Sequence, residues 1–138
     1  MAVKQISIFL ENKSGRLAEV TKLLGDGGIN LRAMTIADTA DFGILRLIAD
    51  NTERSLKILE DGGFTARVTE VIGVEVPDKP GGLASVMEVF ARNEVNIEYL
   101  YVSLERNENN AIVIFKVENV QKGMKALQEN NFNTISFW

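Results

Sequence analysis

Two short turns carry residue types that can bind a small charged molecule. They occupy residues 12–17 and 78–83, and each leads into apolar residues at helical spacing. Backbone N–H groups at a helix start, together with the helix dipole, favour an anion such as an α-carboxylate. Glycine has no Cβ and lets the backbone approach a ligand closely. The candidate binding residues are Asn12, Lys13, Ser14, Gly15, Arg16 and Leu17 in the first turn, and Asp78, Lys79, Pro80, Gly81, Gly82 and Leu83 in the second turn.

Two asparagines, Asn30 and Asn96, add amide groups to these candidates. A side-chain amide both donates and accepts hydrogen bonds, so it can bind the ammonium and the carboxylate of a zwitterion together. Asp78 can also accept a hydrogen bond from the ammonium. We therefore expect each site to place a turn beside an asparagine. On residue type alone, the alternative is that glycine and asparagine serve only as turn residues, since both tolerate left-handed backbone.

The chain contains two copies of one repeated unit. A shift of 66 positions places residues 13–20 on residues 79–86, with lysine, glycine, leucine, alanine and valine matched. Allowing two extra residues in the loop at residues 105–110 keeps the later parts in register. The sequence therefore predicts two domains, residues 1–71 and 72–138.

Each copy predicts the element order β-α-β-β-α-β. The first copy is predicted to begin with a strand at residues 6–10 and a helix through Leu17, Val20 and Leu24. Two strands follow at residues 31–38 and 43–49, joined by a hairpin at Thr39, Ala40 and Asp41. A capping box at residues 50–53 then precedes a helix through Leu56 and Leu59, and a strand at residues 65–71 completes the copy. A strand at residues 72–76 follows at once and opens the second copy. This order predicts an α+β fold of two ferredoxin-like βαββαβ units, packed side by side, each an antiparallel sheet with both helices on one face.

The turns and asparagines resemble the signature of the ACT domain. In the second copy, residues 78–84 and 95–97 carry the resemblance, and in the first copy residues 12–18 and 29–31 carry it. Asn12 and Ser14 depart from the aspartate and proline that are usual in the family. The resemblance covers the whole chain as a tandem pair. It implies a regulatory, non-catalytic protein that binds a free amino acid, often where two such domains meet, and that regulates an unidentified enzyme or its own assembly.

The second strand of each unit is expected at a sheet edge, because this fold orders its strands 4-1-3-2. Pairing of residues 31–38 with 97–104, within the chain or between chains, would give a continuous eight-stranded sheet. In similar tandem pairs the ligand lies between one unit's turn and the partner's second strand. The residues expected to wall the pocket on this basis are Met34, Ile36, Tyr99 and Leu100. For Met34, Ile36 and Leu100 the alternative is core packing, because they share the helix-facing parity.

The sheet face away from the helices is unusually apolar. Alternation places on it Phe9, Ile44, Ile48, Tyr99, Tyr101, Ile112 and Ile114. An apolar sheet face of this kind is expected to be covered. The sequence therefore predicts a homodimer built on that face.

Composition excludes several functions. The chain has 138 residues, with 15 lysines and arginines against 19 aspartates and glutamates, a net charge of −4 that argues against nucleic-acid and membrane-surface binding. It has no cysteine and no histidine, which removes thiolate sites and the commonest general base. No nucleophile elbow, phosphate loop or dinucleotide fingerprint is present, so we expect no catalysis, cofactor or metal. A cytoplasmic location is expected. The alternative function is a ligand-free module for protein–protein interaction or oligomerisation.

Overall fold

The computed structural model describes residues 2–38 and 41–136, without the side chain of Asp38. Positions 39 and 40 of the predicted hairpin, and the outer ends of the predicted domains at positions 1, 137 and 138, lie outside the described residues. The elements are β1 (Val3–Glu11), α1 (Arg16–Asp26), β2 (Leu31–Asp38), β3 (Phe42–Ala49), α2 (Thr52–Asp61), β4 (Thr65–Pro77), α3 (Gly82–Arg92), β5 (Ile97–Asn107), β6 (Asn110–Val117), α4 (Val120–Glu129) and β7 (Thr134–Ile135). The predicted α+β class and element order are confirmed.

The described chain forms two compact units. The first unit contains residues 4–69, and the second contains residues 70–136 together with Ala2 and Val3. The predicted strands at 65–71 and 72–76 are one continuous strand of 13 residues, β4. No linker of irregular structure therefore separates the two copies of the repeat.

In the first unit, β3 pairs antiparallel with both β1 and β2. Ile8 lies opposite Leu45 on β3, and Leu45 lies opposite Ile36 on β2. The core forms because period-two alternation in the strands and three-to-four spacing in the helices direct their apolar residues to one layer. Its buried members include Ile6, Ile8, Leu10, Val20, Leu24, Leu45, Leu47 and Leu59.

In the second unit the strand order is β5-β6-β4-β7, with every neighbouring pair antiparallel. This is the predicted order, read from the second strand of the unit to its fourth. Phe90 of α3 and Phe115 of β6 are fully buried, with ring centroids 5.1 Å apart at 71° in an edge-to-face contact. This contact locks α3 onto the sheet, and with it the turn from which α3 begins.

The apolar sheet face predicted from alternation is already largely buried in the single chain. Ile48, Ile112, Ile114 and Tyr101 are 1%, 5%, 0% and 7% exposed, and Phe9 is 41% exposed. Among these five side chains, Phe9 has the largest exposed fraction. The homodimer itself stays a prediction.

Candidate functional site

The two turns have the same backbone conformation. Gly15 has φ 90° and Gly81 has φ 84°, and each is the last residue before its helix, α1 or α3. A Cβ at either position would meet no atom within 4 Å, but this left-handed φ strains any residue that has a side chain. Glycine is therefore required by the backbone angle and not by crowding.

The helices behind the turns differ from the other two helices at their first residues. In α2 and α4 an asparagine caps the helix: Asn51 accepts from the N–H of Arg54 at 3.0 Å, and Asn119 accepts from that of Lys122 at 3.1 Å. No side chain caps α1 or α3. The predicted capping box is thus a single asparagine cap. Gly15 and Gly81 have no side chain with which to accept from the first backbone N–H groups of α1 and α3.

The first turn carries a network of exposed ion pairs. The Nζ of Lys13 lies 2.8 Å from a carboxylate oxygen of Glu11, and the guanidinium of Arg16 lies 3.1 Å from both Glu11 and Glu19. The hydrogen bond and charge of Lys13, followed by the charge of Arg16, lower the pKa of Glu11. The hydrogen bond that the Arg16 guanidinium donates to Glu19, followed by the charges of Glu11 and Glu19, raises the pKa of Arg16. The cations of this turn already have carboxylate partners.

The second turn is bound to the end of the β5–β6 hairpin. Asp78 forms an ion pair with Arg106 of β5, and its backbone N–H donates to the carbonyl oxygen of Asn109 at 2.9 Å. The N–H of Gly82 donates to the carbonyl oxygen of Lys79 at 3.0 Å. A Cβ on Gly82 would overlap the carbonyl oxygen of Pro77. The close approach of the Pro77 carbonyl therefore leaves no room for a side chain at the first residue of α3.

The two candidate asparagines lie beyond the far ends of the helices. The backbone N–H of Asn30 donates to a side-chain carboxylate oxygen of Asp50 at 3.1 Å, and the N–H of Asp50 donates to the carbonyl oxygen of Asn30 at 3.0 Å. The carbonyl oxygen of Asn96 accepts from the N–H of Glu118 at 3.0 Å. Each asparagine is separated from its own unit's turn by a helix of 11 residues, or roughly 16 Å. The expectation that a turn lies beside an asparagine is therefore wrong within a single unit.

Asn96 instead lines a polar cleft of the second unit. The cleft has a volume of about 570 Å³. Its lining includes Glu70, Glu94, Asn96, Glu118, Asn119 and Lys122. The Nζ of Lys122 donates to the carbonyl oxygen of Glu94 at 3.4 Å. Sequence reasoning missed this cleft, because the α3–β5 and β6–α4 connections that form it are distant in the chain.

The four residues expected to wall the pocket have different environments. Met34 packs against the core of the first unit, and Leu100 packs against the core of the second unit. Both positions thus agree with the core-packing alternative. Ile36, in contrast, is 50% exposed, and Tyr99 is half-buried. Ile36 is the one helix-facing candidate of the four that offers a large apolar surface to solvent.

Two further searches concern the described residues alone. Residues 2–38 and 41–136 contain no group of three or more acidic side chains placed to hold a metal ion. None of the four helices within those ranges is long and apolar enough to cross a membrane.

Comparison with known proteins adds a family and several structural relatives. The sequence model of the family described as ACT domain pair matches residues 1–136. The chain is 43% identical to protein BT0572 from Bacteroides thetaiotaomicron, with a TM-score of 0.92 over 98% of this chain and 92% of that one. It is 19% identical to the ligand-free regulatory subunit of aspartate kinase from Thermus thermophilus, with a TM-score of 0.68 over 95% and 94% of the two chains. The regulatory subunit from Thermus flavus is 18% identical, with a TM-score of 0.63 over 94% and 92%. No curated protein matches the sequence.

Proposed function

The chain belongs to the ACT domain pair family, and from this membership we propose that it is a non-catalytic sensor of a free amino acid. The fold it shares with regulatory subunits of aspartate kinase supports a regulatory role. In this proposal, amino-acid binding in the cytoplasm biases either the activity of a partner enzyme or the chain's own assembly. Such coupling requires only that the ligand bind one conformation or assembly more tightly than the other.

The observation that carries the proposal is the contrast between capped and uncapped helices. Asn51 and Asn119 cap α2 and α4, whereas α1 and α3 begin after a left-handed glycine with no side-chain cap. An α-carboxylate at such a helix start accepts hydrogen bonds from backbone N–H groups and lies at the positive end of the helix dipole. The repeated turn supports carboxylate binding at the positions where the family resemblance implies it.

The ammonium of the ligand needs acceptors of its own. Asp78 is one candidate, and the amide oxygens of Asn30 and Asn96 are others. Because turn and asparagine lie at opposite ends of a helix in each unit, a site that uses both must take them from different ACT units. We therefore propose that the amino acid binds where ACT units meet, with a homodimer as one source of the second unit.

A thermal-stability screen against the twenty proteinogenic amino acids tests this function. A ligand at about 100 times its dissociation constant stabilises the native state by about 2.7 kcal/mol, which raises the Tm of a domain of this size by on the order of 10 °C. The sensor proposal predicts such a shift for one amino acid or a few related ones. No shift with any of the twenty, for protein shown by mass spectrometry to be free of ligand, would instead support a ligand-free interaction module.

A further inference from the structure

The end of the β5–β6 hairpin is held at three points by two acidic residues. Asn107 donates its side-chain amide to the carboxylate of Glu75, which lies within β4. Arg106 forms an ion pair with Asp78, the residue that follows β4. The N–H of Asp78 also donates to the carbonyl oxygen of Asn109 at 2.9 Å. Two adjacent hairpin side chains therefore bind two carboxylates of one continuous segment.

These contacts reach across a strand, because β6 lies between β5 and β4 in the second unit. Val102 lies opposite Val113 and Arg106 lies opposite Ala111, so β5 contains two residues more than β6 between these pairs. A bulge of this kind bends its strand and redirects the side chains that follow it. The bulge therefore determines where Arg106 and Asn107 point.

The first copy of the repeat differs in each of these parts. Glu75 and Asp78 correspond to Phe9 and Asn12, neither of which carries a charge. The strand equivalent to β5 is β2, and it keeps regular pairing with β3 from position 33 to position 38. The two carboxylates and the bulge therefore occur together, in the second copy alone.

Glu75 is itself held from the opposite side. Its second carboxylate oxygen accepts from the side-chain amide of Asn133 at 3.4 Å, and its N–H donates to the carbonyl oxygen of Asn133 at 2.9 Å. Glu75 is also half-buried, whereas the ion pair of Arg106 with Asp78 is exposed. An exposed ion pair alone holds two long side chains together only weakly. The contact of Glu75 with Asn107, the neighbour of Arg106, adds the fixed point that keeps the guanidinium near Asp78.

We propose that Glu75 is a positioning residue of the second turn: by holding Asn107 it keeps Arg106 on Asp78, where Arg106 competes with the ammonium of an incoming amino acid. This inference rests on the proposed function, because it takes Asp78 as an acceptor for the ammonium. It adds a means of regulation to that site. By linkage, a ligand bound to Asp78 loosens the end of the hairpin, and a change that loosens the hairpin strengthens ligand binding.

A double-mutant cycle tests the proposal. Glu75→Ala, Arg106→Gln and the double variant are titrated by calorimetry with the amino acid selected by the thermal screen. We expect R106Q to bind about twofold to fivefold more tightly than wild type, the range that an exposed ion pair can account for. E75A should also bind about twofold more tightly, but should add no change in the R106Q background, because Glu75 acts through Arg106.

Three further variants control for other effects. Asn107→Ala breaks the same contact from the hairpin side and should bind like E75A. Glu75→Gln keeps an acceptor for Asn107 and should bind like wild type. Glu98→Ala removes a different carboxylate of the second unit, one paired with Lys116 of β6, and should leave the affinity unchanged. An equal effect of E75A in the wild-type and R106Q backgrounds, or no effect of E75A and N107A, would overturn the proposal.

Hydrogen exchange of the Asp78 N–H provides a readout that needs no ligand, because this N–H is bonded to Asn109 of the hairpin. We expect its exchange to be at least about threefold faster in E75A and N107A than in wild type, and unchanged in E98A. If no amino acid binds, the sensor function fails, while faster exchange would still support the positioning of the hairpin by Glu75. Unchanged exchange in E75A and N107A would overturn the inference itself, whether or not an amino acid binds.

Discussion

Arg106 of β5 forms an ion pair with Asp78, the first residue of the turn that precedes α3. The two side chains are 60% and 52% exposed, so the pair contributes little to stability, on the order of 1 kcal/mol or less. The ion pair matters for binding, because Arg106 occupies the carboxylate of Asp78, which we propose as an acceptor for the ligand's ammonium. A bound ammonium would therefore replace Arg106 as the partner of Asp78 or share Asp78 with it. In either case ligand binding at the turn would affect the β5–β6 hairpin.

Replacement of Asp78 by asparagine should separate ammonium binding from carboxylate binding. We expect D78N to weaken binding of the amino acid by about tenfold, because the amide cannot supply a negative charge. Binding of acetate, which has no ammonium, should not weaken. Calorimetry with both ligands measures the difference, and equal weakening of both would show that Asp78 acts only by shaping the turn. Asp26→Asn, in an exposed pair with Lys22, is the matched control.

The asparagine caps should matter more for stability than Ser14 of the first turn does. Asn51→Ala and Asn119→Ala each remove an acceptor for a helix N–H, which typically costs about 1 kcal/mol in the free energy of unfolding. Ser14→Ala should cost much less, because no side chain caps α1. Urea titration of the three variants provides the comparison. A loss in S14A equal to that in N51A would contradict the uncapped start of α1.

The glycine that begins α3 should not tolerate even a methyl group. A Cβ on Gly82 would overlap the carbonyl oxygen of Pro77, so we expect G82A to lose about 1–3 kcal/mol in unfolding free energy as the backbone shifts. The control is Gly25→Ala in α1, where a Cβ meets no atom within 4 Å. Alanine there should raise stability by up to about 1 kcal/mol, since it favours the helix. Thermal unfolding of both variants tests the opposite signs.

Acid should weaken the ion pairs of the first turn. The neighbouring Lys13 and Arg16 lower the folded-state pKa of Glu11 below its ordinary value of about 4.3. A carboxyl group with a lowered folded pKa stabilises the fold above its unfolded pKa, and this contribution disappears as the pH falls through the folded pKa.

Glu11→Gln should therefore be less stable than wild type near neutral pH, and the difference should shrink below about pH 4. Unfolding free energies measured from pH 7 to pH 3 follow this change. Glu129→Gln, an exposed carboxylate of α4, controls for net charge. A difference between E11Q and wild type that stayed constant down to pH 3 would show that the ion pairs do not stabilise the first unit.

Much of the fold was predictable, because the signals that determine it are local and periodic. Alternation defined the strands, and the apolar spacing of Val20 and Leu24 defined the helix face that the core of the first unit buries. The repeat also identified Gly15 and Gly81 as equivalent, and the structure gives them φ values within 6° of each other.

The site was harder to predict, because its contacts join residues far apart in the chain. Arg106 lies 28 positions from Asp78, within the loop region that holds two extra residues in the second copy. That two-residue insertion was the one feature of the sequence that pointed to the contact between Arg106 and Asp78. Asn96 appeared to belong to the turn because both form part of one family signature, but the length of α3 separates them within the unit.

The most direct test of the account is an amide NMR titration with the amino acid that stabilises the protein. We predict that the largest shift changes occur at the backbone N–H groups of the first residues of α1 or α3. Shift changes concentrated instead around the cleft at Asn96 and Asn119, with the first residues of α1 and α3 unaffected, would contradict carboxylate binding at the turns.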